Sequence, residues 1–191
     1  MQSQVGKLAV IIILCAVLFS LLTVIIQLRA LGDWFVYLEE GHQIKRHTAV
    51  LQVTAPSPWQ YRVLSEYLVE GVILILGKLG LPHPVASGFI LFRFFQNILI
   101  FIFATLYYRR LGLNTYITLI GLSFLAWGMT HSLYDSDLQF NTYSDIIFYL
   151  LAGIAILYKK YIWIIPITSL AALNRETSGF IPLMLLIDGL Y

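Results

Sequence analysis

The chain has 191 residues, 59% of them hydrophobic and 12% charged, with a net charge of +2 and a mean hydropathy of +0.82. Soluble domains carry about 25% charged residues, so this composition excludes a water-soluble globular fold and makes the bilayer the solvent. The small net charge, with basic residues in pairs between apolar segments, excludes nucleic acid as a partner, and the single cysteine, Cys15, excludes an intramolecular disulfide or a thiolate metal site.

Residues 8–28 carry no charge and, at 1.5 Å per residue, match a hydrocarbon core of about 30 Å. The alternative is a cleaved signal peptide ending near Ala30 or Gly32, but such apolar regions run only about 7–15 residues, so a retained span is the better reading. Residues 29–84 are of mixed character. Within them Arg62, Glu66 and Glu70 recur every fourth residue, which puts them on one stripe of a helix over residues 59–79. Three unpaired charges at mid-bilayer would cost up to about 2.5–3.5 kcal/mol each, so this helix reads as interfacial, inside a long first external loop, rather than as a span.

Residues 85–108 are long enough to cross and end in Arg109 and Arg110. On that segment Arg93, Gln96 and Asn97 share one face, which is expected to point into the protein rather than at lipid. Residues 116–134 form the next apolar stretch, and the acidic sequence after it, residues 135–145, reads as a polar loop. Residues 146–158 follow and end in Lys159 and Lys160. From residue 161 to 187 the chain is apolar except for Asn174, Arg175, Glu176 and Thr177. One span would bury that tetrad at its centre, so a hairpin of two short helices meeting there is expected.

The expected fold is therefore an all-α polytopic membrane protein, one transmembrane domain over residues 1–191 with about six helices. The positive-inside rule orients it. Lys7, Arg109, Arg110, Lys159 and Lys160 fall on the cytoplasmic side with the N-terminus, and nine of the ten acidic residues fall opposite. The external side then gathers Asp33, the Arg62 stripe, the 135–145 loop and the Arg175–Glu176 turn around a polar cleft facing outward. His42 and His47, flanking Lys45 and Arg46, read as a solvated or headgroup-facing surface. Asp135-Ser136-Asp137 looks like a metal-binding acidic triplet but reads more simply as two aspartates in a polar loop. His131 and Asp135 alone are too few for a metal, so no metal and no cofactor is assigned.

GDWFVY with Asp33 and Tyr37, PSPWQYRVL, YYRRLG and SLAALNRETSGF, in this order, resemble the amino-terminal half of the GT-C superfamily. Its members are multi-pass glycosyltransferases that take sugars from polyprenyl-phosphate carriers. The resemblance implies transfer of a sugar from such a carrier to an acceptor at the external or lumenal face, most simply at the cell membrane; members of the superfamily are usually longer, so the chain reads either as truncated at its C-terminus or as a minimal member. Asp33 would then be the catalytic base for the acceptor hydroxyl; the alternative is that it caps the helix starting at Trp34. Arg175 would bind the lipid phosphate, against a local turn in which Arg175 pairs with Glu176 or headgroups. Arg62, Glu66 and Asp135 from the cleft, with Tyr37 and Glu176, complete the substrate- and phosphate-binding candidates. The competing readings are a small membrane transporter, or the substrate-binding membrane subunit of one, and a membrane scaffold without a small ligand.

Overall fold

The computed structural model describes residues 2–132 and 138–189, so the expected site residue Asp135 lies outside the described residues. The protein is 81% helix, with no strand among the described residues. Helix α1 (Gln2–Ala30) is followed by two short helices, α2 (Trp34–Glu39) and α3 (His42–Leu51). A 3-10 turn at Trp59–Tyr61 leads into α4 (Val63–Lys78), and α5 (Pro84–Arg110), α6 (Thr115–Thr130) and α7 (Phe140–Leu157) come next. Two nine-residue helices, α8 (Ile164–Ala172) and α9 (Phe180–Asp188), close the described chain.

The boundaries have local causes. Pro84 opens α5 at a position where its missing N–H is not needed. Arg109 and Arg110 sit in the last turn of α5, where they complement the helix dipole. Gly112 then stops the helix in the left-handed region at φ 83°, with the Leu113 amide donating back to the Tyr108 carbonyl. Asn114 caps α6 by accepting from the Ile117 amide at 2.9 Å.

Side-chain pairs give the directions. Thr23 meets Asn97 while Phe19 stacks near Phe101, so α1 and α5 are antiparallel. Gln96 meets Ser144 while Arg110 reaches the Leu157 carbonyl, so α5 and α7 are parallel. The space between α1, α5, α6 and α7 is filled by Ala16, Ile100, Phe101, Ala104, Leu122 and Met129. A second core, with Leu38, Val69, Phe89 and Phe140, joins α2 to α4, α5 and α7. A third, with Ala152, Ile156, Ile164, Ala171 and Ile181, seats the α8–α9 hairpin on α7. Outside the bundle, Ile11, Leu14, Leu18, Leu22 and Ile25 of α1 are exposed at three- and four-residue spacing, an apolar face that water would not tolerate and lipid does.

Among the described residues three helices are long and apolar enough to cross a membrane: Val10–Ala30, Pro84–Arg110 and Phe140–Leu157. The first two coincide with expected spans. The other apolar helices are shorter; α6 spans about 24 Å and α8 about 14 Å at 1.5 Å per residue. Two expectations shift. The continuous helix over 59–79 is instead a 3-10 turn and α4, with Arg62 at the junction. The polar loop ends earlier than residue 145, because α7 begins at Phe140 and carries Asn141, Thr142, Ser144 and Asp145 in its first turns. The expected break at the tetrad is present as a 3-10 turn, Glu176–Gly179, between α8 and α9.

Candidate functional site

Near the start of α7 a layer of buried polar side chains crosses the bundle. Gln27 of α1 donates to the Met129 carbonyl at 2.7 Å and to the Tyr143 hydroxyl. Asn97 donates to Thr23 Oγ1, and Gln96 donates to Ser144. Ser65 of α4 shares a hydrogen bond with Ser144 and donates to Asn174 Oδ1. Asn174 donates in turn to the Asn141 carbonyl and to Asp145 Oδ1 at 2.6 Å, and Thr177 donates to Asp145 Oδ2. In an apolar solvent each of these groups must find an internal partner, so the network locks α4, α7 and the α8–α9 turn at one level. Arg93, Gln96 and Asn97 are buried, as their shared face implies. The Arg93 guanidinium stacks 3.4 Å from the Tyr143 ring centroid.

The turn places two arginines beside a cavity of about 350 Å³ lined by Trp59, Arg62, Gln139, Asn141, Thr142 and Arg175. Arg62 is nearly buried and forks onto the exposed Glu176, with Nε to Oε2 at 3.2 Å and Nη2 to Oε1. Its guanidinium lies 4.7 Å from the Trp59 ring centroid, a cation–π distance. Arg175 is 30% exposed; its Nη1 donates to Thr142 Oγ1 at 3.2 Å and stands 3.9 Å from Asp145 Oδ2. Its Nε is buried and has no hydrogen-bond partner among the described residues. The cavity thus combines an indole plate, amide and hydroxyl groups, the Arg175 guanidinium, and the charge of Arg62, whose fork is held by Glu176. That donor set suits a polar ring bearing a phosphate, since guanidinium binds phosphate oxygens in pairs and rings stack on indole faces.

Trp59 also neighbours an ionic cluster. Arg46 stands 5.3 Å from the same indole centroid and 3.3 Å from Glu66 Oε1. His47 is buried between two carboxylates, Nδ1 at 2.8 Å from Glu66 Oε2 and Nε2 at 2.9 Å from Glu70 Oε2. Carboxylates only accept, so both ring nitrogens must donate and the imidazole is held as the cation. Burial alone would lower the His47 pKa, but the hydrogen bonds and charges of Glu66 and Glu70 outweigh it and raise it above the ordinary 6.5. The expectation of a solvated His47 is therefore corrected. The residue packs edge-on against Phe89 and ties α3 to α4.

Of the expected site residues, Arg62 and Arg175 line the cavity and Glu176 joins it through Arg62. Glu66 belongs to the His47 cluster and does not line the cavity. Arg175 pairs with Asp145 rather than with Glu176. Asp33 stands at the N-cap position of α2 without making a side-chain cap, so the capping alternative is not realised; it is exposed, as is Tyr37, and neither lines the cavity. Reading the sequence missed Trp59, Asn141, Thr142 and Asn174. The available signal was spacing: Asn141, Ser144 and Asp145 stand at i, i+3 and i+4, which marks one helical face. Comparison with family models, with curated proteins and with solved structures returns no match.

Proposed function

We propose that the protein is a membrane glycosyltransferase of GT-C type, transferring a sugar from a polyprenyl-phosphate carrier to an acceptor at the external or lumenal face. The observation that carries the reading is the cavity edged by Arg62 and Arg175 beside Trp59. In this reading Arg175, 30% exposed on the cavity wall, takes the lipid phosphate, and Arg62, oriented by Glu176, neutralises the charge that develops as the phosphate leaves. Asp33 takes the proton of the acceptor hydroxyl, a role carried by the sequence resemblance alone. About six membrane helices, an N-terminus in the cytoplasm and a location in the cell membrane belong to the same proposal. A transporter would need access from both sides. The other half of the bundle is filled by apolar cores around Phe101 and Ile156, which favours a site worked from one side.

The test is sugar transfer from a radiolabelled polyprenyl-phosphate sugar by the full-length chain in nanodiscs. Asp33→Asn keeps the side-chain size and removes the base, so transfer is expected to fall about 10²–10⁴-fold with insertion unchanged. Transfer at the parental rate would take the catalytic role away from Asp33.

A further inference from the structure

A second cavity lies at the opposite end of α7, between its C-terminal half and α8. Its volume is about 450 Å³, inside the range of roughly 300–1,000 Å³ usual for ligand pockets. Leu151, Ile154, Tyr158, Trp163, Ile167 and Leu170 form its walls and Lys160 stands at its mouth. Local backbone geometry produces it. α7 stops at Leu157, Lys159 takes a left-handed φ of 55°, and the Lys160 amide donates to the Ala155 carbonyl. The 3-10 turn Tyr161–Trp163 then carries the chain into α8, whose nine residues cover only part of α7.

The mouth is basic. Lys159 and Lys160 are exposed. Arg110 donates to the Leu157 carbonyl at 3.3 and 3.4 Å and lies 4.3 Å from the Tyr158 ring centroid. One carboxylate is near, Asp188, which accepts from the Tyr161 hydroxyl at 3.1 Å, so positive charge is in excess. Trp163 and Tyr158 are exposed beside it, the residue types that settle at a membrane–water boundary.

An apolar slot ending in cations and aromatic rims matches one class of molecule, a lipid with an acyl chain and an anionic head. We propose that this groove binds an anionic phospholipid, one acyl chain along Ile154, Ile167 and Leu170 and the phosphate at Lys159 and Lys160. Clustered basic residues at a helix end attract anionic headgroups, and the apolar wall adds the chain. The site is separate from the Arg62–Arg175 cavity: Thr142 and Ala155 stand about 20 Å apart along α7. Occupancy here therefore stands or falls independently of sugar transfer.

Native mass spectrometry of the full chain in mild detergent, titrated with phosphatidylglycerol or phosphatidylcholine of identical chains, tests the proposal. The parent is expected to bind phosphatidylglycerol at least about tenfold more tightly. Lys159→Gln with Lys160→Gln should abolish that preference, and Leu170→Trp, which fills the groove from an exposed position, should weaken both lipids. A thermal melt checks that each variant folds, and the parental preference decides the matter if one does not. Equal affinity for the two lipids in the parent, a preference that survives both sets of substitutions, or a lipid-free dimer would overturn the proposal.

Discussion

His47 shows how far one residue's environment departs from its local sequence. It lies between Arg46 and Thr48 in a polar run, yet its ring is buried with a carboxylate at each nitrogen. The groups facing it are Glu66 and Glu70 of α4, with Arg46 of its own helix on Glu66 and the Phe89 ring of α5 at its side. Because its folded pKa lies above 6.5, the stabilising effect of protonated His47 is complete below about pH 6.5 and is lost as pH rises through the folded value. His47→Leu leaves the buried Glu66 with fewer donors and is expected to cost about 1–3 kcal/mol at pH 6. Thermal unfolding in detergent across pH 6 to 9 checks this: the gap between parent and variant should narrow as pH rises. A gap constant across that range would mean that the ring is neutral in the folded protein.

At the scale of elements, the tightest junction is the α4–α5 hairpin. A Cβ at Gly88 would stand 2.5 Å from Ile73 Cγ1 and 3.3 Å from Ile73 Cα, so the two helices approach across a missing side chain. Gly88→Val should force them apart and destabilise the protein by about 1–3 kcal/mol, whereas Gly71→Ala, where a Cβ meets nothing within 4 Å, should not. Melting temperatures of the two variants provide the check, and equal values would deny the close approach. The hairpin also explains what the sequence made legible. Long uncharged runs mark α1 and α5 because span length and hydropathy are local properties, and the NRET interruption marks the α8–α9 turn for the same reason. The start of α7 was hidden because Asn141, Thr142 and Asp145 look like loop residues until Asn174 donates to the Asn141 carbonyl and Asp145, and Arg175 donates to Thr142. Trp59 stands three residues before Arg62, a spacing that makes the two neighbours, but its place on the cavity wall opposite the start of α7 depends on the fold. Tertiary partners of this kind leave no trace in periodicity.

Across the whole molecule, polar chemistry is sorted to two ends. Arg62, Asn141, Asn174, Arg175 and Glu176 meet at one, and Arg110, Lys159 and Lys160 meet at the other. The proposed topology, built on the positive-inside rule, puts the second end in the cytoplasm. Single cysteines at Thr54 and Lys160, in a Cys15→Ser background, should therefore react with a membrane-impermeant thiol reagent from opposite sides; reaction from the same side would reject this topology. In the proposed topology the Arg62–Arg175 cavity faces outward, where the proposed lipid-linked phosphate would be reached from the membrane and an acceptor from water. Burial sharpens the contact, because a guanidinium–phosphate pair strengthens as the local dielectric falls.

The most direct measurement is the dissociation constant of a polyprenyl-phosphate analogue for the full-length protein in nanodiscs, with Arg175→Lys and Arg175→Ala beside the parent. Lys keeps the charge and loses the paired donors, so it should weaken binding by roughly tenfold. Ala removes charge and donors together and should weaken binding by roughly 10–100-fold, the equivalent of about 1.5–3 kcal/mol for a charged hydrogen bond. Two folded variants that bind as tightly as the parent would contradict the account and leave Arg175 as a turn residue held by Thr142 and Asp145.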